Sequence, residues 1–227
     1  MLLRGAQANR RMAMTKRLLL LSTVVLLAAA TASATTILTF GQVGTANTIT
    51  GTNNGAGSTT ITAVNVPITV TQIDAGTATP FSAVLNLSAT SSGAATTVSG
   101  NVTQSFTGTF SITNGATNYL SGSFTDTIFG AATGASLTLS VSQPPDTVSF
   151  NSNVIAASEL GLTRAISLSF ANVTPGVNIT AGSLGSFSSS ISGTFSANVG
   201  RVPEPATLAL LGSGLLLFGL RRYRPNA

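Results

Sequence analysis

Apolar and polar residues alternate one by one along much of the chain between residues 35 and 200. The alternation is clearest from Val98 to Ile112, where Thr, Ser and Asn occupy the positions between the apolar ones. A period of two places successive side chains on opposite faces of a strand, and β-branched Thr favours an exposed pleated face. This stretch therefore predicts a strand with a hydroxyl-rich outer face. Its expected inward face consists of Val98, Gly100, Val102, Gln104, Phe106, Gly108, Phe110 and Ile112.

A turn signal and a second alternating stretch follow this strand. Asn114-Gly115 is typical of a tight hairpin turn, and the alternation resumes from Tyr119 to Ile128. The two stretches together predict an antiparallel hairpin. The expected inward face of its second strand consists of Leu120, Gly122, Phe124, Asp126 and Ile128.

Shorter alternating segments fill the remainder of this region, and turns rich in Gly and Pro separate them. Pro67 interrupts one segment and predicts an edge strand or a bulge there. Only the short segment Val154 to Leu160 has helical character. About ten short strands with hardly any helix predict one all-β domain over residues 35–200, a β-sandwich of antiparallel strands, with a β-helix as the alternative. The other segments are Thr36–Phe40, Thr60–Ile73, Phe81–Leu87, Leu137–Val141, Val148–Phe150, Ile166–Phe170 and Phe187–Val199.

A glycine lies between two large inward residues in three of the segments. The triplets are centred on Gly108, Gly122 and Gly193, and Ser or Thr flanks each glycine. A glycine at such a position leaves room for an aromatic ring from the neighbouring strand, or lets the sheet bend. Chance recurrence in a chain rich in Gly, Ser, Thr and Phe is the alternative explanation.

Charge is concentrated at the two ends of the chain. The 227 residues carry a net charge of +5, but residues 35–200 hold only Asp74, Asp126, Asp146, Glu159 and Arg164, a net charge of −3. A region without a basic patch does not present the electrostatic footprint of a nucleic-acid-binding surface. The basic ends indicate topology signals instead, and no nucleic-acid partner is predicted.

Several kinds of catalytic chemistry are excluded by composition. The chain has no His and no Cys, and residues 35–200 have no Lys, which removes Ser-His triads, Ser-Lys dyads, Cys nucleophiles and His-ligated metal sites. Two of the four acids could form a glycosidase pair if the fold brought them together, but solvated acids are the simpler interpretation. Asp126 alone falls on the apolar side of its strand. We therefore predict no catalytic, cofactor-binding or metal-binding residue, no cofactor and no enzymatic activity.

The N-terminal segment, residues 1–34, has the three parts of a secretory signal peptide. A basic stretch from Arg10 to Arg17 precedes an apolar stretch from Leu18 to Ala30, and the small residues Ala32-Ser33-Ala34 follow. We expect signal peptidase to cut after Ala34, or after Ala32, once the secretion machinery has engaged the chain. An uncleaved signal anchor is the alternative.

The C-terminal segment, residues 201–227, combines a rigid motif, an apolar run and a basic end. Val202-Pro203-Glu204-Pro205 is held extended by its prolines. Ala206 to Leu220 is an uncharged run that would span about 22 Å as a helix, a marginal transmembrane helix for the inner membrane. Arg221, Arg222 and Arg224 then form a basic stop that is held on the cytoplasmic side, which places the preceding domain outside.

This order, spacing and position resemble the PEP-CTERM protein-sorting signal of Gram-negative bacteria. The resemblance implies recognition by an exosortase, a membrane-embedded cysteine transpeptidase-like enzyme, and removal of the tail near Pro203–Pro205. It also implies a host that makes extracellular polysaccharide. It covers only residues 201–227 and implies no activity for residues 35–200.

These observations predict a non-catalytic exported protein. We expect it to be anchored in the inner membrane before processing and then to reach the cell surface or the extracellular matrix of a biofilm, in association with exopolysaccharide. A carbohydrate-binding module of that matrix is the alternative function. A hydrolase that uses a carboxylate pair is a third, and Asp126 and Asp146 would be the residues to test.

Overall fold

A computed structural model describes residues 34–143 and 146–198. Every regular element within these residues is a strand, which confirms the all-β class. The signal peptide, up to Ser33, lies outside the described residues. In chain order the strands are β1 (Thr35–Gln42), β2 (Ile49–Gly55), β3 (Ser58–Ile73), β4 (Phe81–Ser91), β5 (Thr96–Val98), β6 (Asn101–Asn114), β7 (Thr117–Ala131), β8 (Ser136–Ser142), β9 (Val148–Asn151), β10 (Thr163–Thr174), β11 (Ile179–Thr180), β12 (Ser183–Leu184) and β13 (Phe187–Asn198).

Eight of these strands close into a barrel. Their order around the ring is β1, β3, β4, β6, β7, β8, β10 and β13, so each strand lies beside the ring strand that precedes it in the chain. The ring closes where β13 pairs with β1, and Thr35 faces Ala197 at this seam. β2 lies between β13 and β3, as β1 does, and pairs with both. β9 pairs with β7 next to the part of β7 that pairs with β8.

The predicted β-sandwich is not confirmed, because one continuous ring of hydrogen-bonded strands replaces two separate sheets. Pairing around the ring is antiparallel, unlike that of a parallel β-helix. Alternation shows which side chains point inward but not which strands are neighbours. Curvature comes from long strands, such as the 16 residues of β3, and from register shifts within them.

The barrel interior is filled by aromatic and aliphatic side chains, and hydroxyl groups cover its outside. In β6, Phe106 and Phe110 are buried, whereas Thr107 and Thr109, which lie between them in the sequence, are exposed. The predicted hydroxyl-rich outer face is therefore confirmed. The largest fully buried side chains include Phe40, Phe106, Phe124, Phe170 and Phe195.

The predicted hairpin is formed by β6 and β7. Asn114 pairs with Thr117 across the turn, in which Gly115 has a φ of 57°. The prediction was wrong about the start of the first strand of this hairpin, which begins at Asn101 rather than at Val98. Val98 belongs to β5 and is 61% exposed, and Ser99 and Gly100 form the turn between β5 and β6. Both turn residues have positive φ, as a tight hairpin turn requires. Alternation continues across this turn by coincidence, so the pattern did not reveal it.

The three glycine triplets pack as predicted, each under an aromatic ring of a neighbouring strand. Gly108 faces Phe124 and Gly122 faces Phe110 in the β6–β7 register. A Cβ atom on Gly108 would lie 2.8 Å from Phe124 Cζ, and one on Gly193 would lie 2.6 Å from Phe40 Cε1. Such distances leave no space for a side chain, so the glycines create the room that the rings occupy.

We expect Gly122→Ala to lower the free energy of unfolding by about 2 kcal/mol, because overpacking a close contact has this cost. The new Cβ would overlap the Ser149 carbonyl oxygen on β9 and lie 3.1 Å from Phe110 Cε1. Urea unfolding followed by circular dichroism measures the change. Gly41→Ala is the matched control, since a Cβ there meets no atom within 4 Å. Equal losses for the two variants would contradict the close packing at Gly122.

Pro67 lies beside a bulge, as predicted. The β3–β4 register shifts between Ala63 and Val66, and Asn65 adopts a φ of 48° in that bulge. The shift leaves Val64 pointing outward with 74% exposure.

The predicted helical segment from Val154 to Leu160 contains bends and turns rather than a helix. Buried Ile155 and Leu160 attach it to the core. The Ser152 hydroxyl accepts hydrogen bonds from the N–H groups of Val154 and Ile155. Seven residues are too few to form a stable helix without packing that favours one, and here the two anchored side chains favour a turn.

Candidate functional site

The four candidate carboxylates occupy different environments. Asp74 is exposed, Asp146 and Glu159 are half-buried, and Asp126 is buried with 8% exposure. The prediction that Asp126 faces the apolar side of its strand is therefore confirmed. It lies on β7 opposite Phe106 of β6.

Asp126 lies where the strand beside β7 changes. β8 pairs with β7 at Ile128 and Phe129, and β9 takes over from Phe124 to Ser121. In the gap between them, the Asp126 carboxylate accepts hydrogen bonds from the backbone N–H groups of Thr127 and Ser140. Among the described residues, no group donates a hydrogen bond to its Oδ2 atom.

Burial raises the pKa of Asp126 from 3.8 to about 6. The negative charge of Asp146 adds to the increase, and the two backbone N–H groups reduce it. The structure therefore brings Asp126 and Asp146 into electrostatic contact. Chemically, this places a carboxyl group that can hold or release a proton near pH 6 against the packed core.

A second buried polar cluster surrounds Gln104, whose side chain points into one mouth of the barrel. Its Nε2 group donates to the Gly93 carbonyl and the Ser183 hydroxyl, both at 2.8 Å, and to the Gly57 carbonyl at 3.2 Å. Its Oε1 atom accepts the N–H of Leu184 at 2.9 Å. These bonds hold the β11–β12 hairpin across the mouth.

Thr59 completes this cluster. Its hydroxyl contacts the Ser183 hydroxyl and donates to the Leu184 carbonyl, and its N–H donates to the Ser91 hydroxyl. Both Thr59 and Ser183 are fully buried. This role was not predicted from the sequence, although a glutamine on the apolar face of β6 was the visible signal. A fully bonded buried network of this kind specifies one arrangement of the segments that it joins.

The described ranges, 34–143 and 146–198, contain no group of three or more His, Asp or Glu side chains close enough to hold a metal ion.

Within those same ranges, no helix has the length and apolarity needed to cross a membrane.

The predicted targeting residues lie almost entirely outside the described residues. This applies to Ala32 at the signal cleavage site, to the motif Val202-Pro203-Glu204-Pro205, to the span Ala206–Leu220 and to the basic stop at Arg221, Arg222 and Arg224. Ala34 is described and is exposed immediately before β1. The seam places the two ends of the barrel domain side by side, because Thr35 pairs with Ala197.

Comparison with known proteins identifies the C-terminal segment. Residues 201–224 match the PEP-CTERM protein-sorting motif, as the resemblance implied. No curated protein and no solved structure matches the chain. The motif marks an exported protein that has a membrane-anchored C-terminal signal before processing. Its processing partner is an exosortase.

Proposed function

We propose that this chain is a non-catalytic protein of the cell surface or extracellular matrix, retained there in association with polysaccharide. The PEP-CTERM motif at residues 201–224 is the observation that carries the proposal. An exported protein that loses its membrane anchor needs some other means of staying near the cell. Binding to the surrounding polysaccharide matrix provides such a means.

The closed barrel is suited to two processing steps. Its first and last strands are hydrogen-bonded neighbours, with Thr35 opposite Ala197. Cuts before Thr35 and beyond residue 200 leave all eight ring strands and the core intact. The expected product is a folded barrel with both of its ends at one seam.

A non-catalytic role is supported by the surroundings of Asp126. Its neighbours on the inward face are Phe124 and Ile128, and Phe106 lies opposite, all three buried. A general acid has to reach the bond that it protonates within hydrogen-bonding distance. The Asp126 carboxyl instead bonds the backbone of its own sheet, which is a structural use of the group.

We expect the wild-type chain, expressed in a native host, to be recovered outside the cell as a species that begins at Thr35 and ends between Val202 and Pro205. Replacing Pro203, Glu204 and Pro205 together by Ala is expected to leave a species that retains Arg224 in the inner membrane. Intact mass spectrometry of inner-membrane, surface and medium fractions measures both outcomes.

Asn226→Ala, outside the matched motif, is the control and should be processed like the wild type. A wild-type protein that keeps its tail in the inner membrane would overturn the proposal. So would a cleaved protein that is found only as a freely diffusing species in the medium, because the proposal requires retention.

A carbohydrate-binding module is the second candidate function, and it is compatible with the first. The observation that favours it is a polar groove on the outer face of the barrel.

A further inference from the structure

A groove of about 440 Å³ crosses three neighbouring strands on the outside of the barrel. Its floor is the backbone of Ala63 on β3, Leu87 on β4 and Phe110 on β6, which are register partners. The groove therefore runs perpendicular to the strands. It begins at the β3 bulge, which turns Val64 outward.

Two rows of side chains line the groove. Thr62, Ser88 and Thr109 face one another in register along one side. Asn86 and Ser111 are paired along the other side. Neighbouring members of a row are about 4.8 Å apart, the separation of paired strands, and this is close to the length of one pyranose ring.

The polar groups in the groove are available to a ligand. Within the described part of the chain, no side chain or backbone group forms a hydrogen bond with the hydroxyls of Ser88, Thr109 and Ser111. The Asn86 Oδ1 atom accepts the N–H of Asn65 at 2.8 Å, which fixes the amide and leaves its NH₂ group free to donate. The hydroxyls can both donate and accept.

The composition of the groove points to an uncharged ligand. Its lining has no charged side chain, and the single basic residue between positions 35 and 200, Arg164, lies on β10 on the opposite side of the ring. Val64, with 74% exposure, adds an apolar surface at one end. Hydroxyl and amide groups beside a small apolar surface match the hydroxyl edge and apolar face of a sugar ring.

We propose that this groove binds a neutral polysaccharide chain lying across β3, β4 and β6. The inference rests on the proposed association with extracellular polysaccharide and assigns it a site. Ser88 and Thr109 form hydrogen bonds with sugar hydroxyls, the Asn86 amide donates to a further sugar oxygen, and Val64 packs against a ring face.

The test is affinity electrophoresis of the full-length protein in detergent, through gels that contain dextran, galactomannan or hydroxyethylcellulose. The double variant Ser88→Ala/Thr109→Val removes two hydroxyls on adjacent strands. Ser167→Ala/Thr194→Val is the matched control, because those residues are also register partners on adjacent strands, across the ring on β10 and β13.

We expect at least one neutral polysaccharide to retard the wild type and the control equally. The groove variant should bind about tenfold more weakly, as expected for the loss of two neutral hydrogen bonds. Circular dichroism should show the same unfolding midpoint for the groove variant and the control.

Retardation in none of the neutral gels, or equal binding by both double variants, would overturn the site. Loss of retardation after the polysaccharide has been treated with proteinase would also overturn it, because the ligand would then be a contaminating protein. Binding in these gels does not depend on export or cleavage. A failure of the groove therefore differs from a failure of sorting, which the mass and fractionation experiment detects.

Discussion

Phe195→Ala is expected to lower the free energy of unfolding by about 4 kcal/mol, the range for removing a large aromatic side chain from a core. The Phe195 ring is fully buried on β13, at the centre of an aromatic cluster. It stacks on Phe110 with ring centroids 4.7 Å apart and contacts Phe150 edge-to-face at 5.9 Å. It also lies 6.1 Å from Phe40 on β1. The substitution therefore removes contacts that join both sides of the seam to the opposite wall.

Urea unfolding followed by circular dichroism measures this loss. Phe129→Ala is the matched control, since Phe129 is on the outer face of β7 with 46% exposure. Its replacement should change the free energy of unfolding by less than about 1 kcal/mol. Similar losses for the two phenylalanines would show that the aromatic cluster does not hold the barrel together.

Asp126 is expected to lower the free energy of unfolding of the wild-type protein by about 2 kcal/mol as the pH rises from 4 to 7, and Asp126→Asn should abolish this component. Asp126 has its pKa raised from 3.8 to about 6 in the folded protein. A raised acid pKa means that the folded state holds the proton more tightly than the unfolded chain. The contribution is therefore complete below about pH 4 and lost as pH rises through about 6. The variant stays neutral throughout.

Unfolding free energies at pH 4, 5, 6, 7 and 8 test this dependence. The difference in slope between wild type and Asp126→Asn isolates the buried group, even if the new amide lowers stability at every pH. Asp74→Asn, which replaces an exposed carboxylate, is measured in parallel as the control. A slope unaffected by Asp126→Asn would mean that Asp126 does not titrate in the folded protein.

Local features of the fold could be predicted from the sequence because they depend on side-chain alternation. The faces of β6 and β7, the turn at Asn114-Gly115 and the bulge near Pro67 all follow from residues close together in the chain. Packing of aromatic rings over Gly108 and Gly122 was one of the two arrangements expected for a glycine between large inward residues, the other being a bend of the sheet. The burial of Asp126 was visible in the same alternation.

Features that depend on distant residues could not be predicted. Pairing of β1 with β13 joins residues whose alternation is equally compatible with two stacked sheets. The change from β8 to β9 beside Asp126 and the bonds from Gln104 to the β11–β12 hairpin depend on where loops return to the barrel. The groove depends on the register of three strands. The sorting segment could be recognised without knowledge of the fold, because the order of its residues along the chain is what identifies it.

The pairing of β1 with β13 at the seam also determines which step of folding comes last. Every other ring pairing joins strands that follow one another in the chain, so those hairpins can form as soon as their residues emerge from a transport channel. The β1–β13 pairing has to wait for the last strand, and a chain threaded from its N-terminus delivers that strand last. Until then the incomplete ring exposes two unpaired strand edges and the apolar interior, which favours aggregation. Closure can be completed only when Ala197, the partner of Thr35, has emerged, shortly before the sorting segment at residues 201–224.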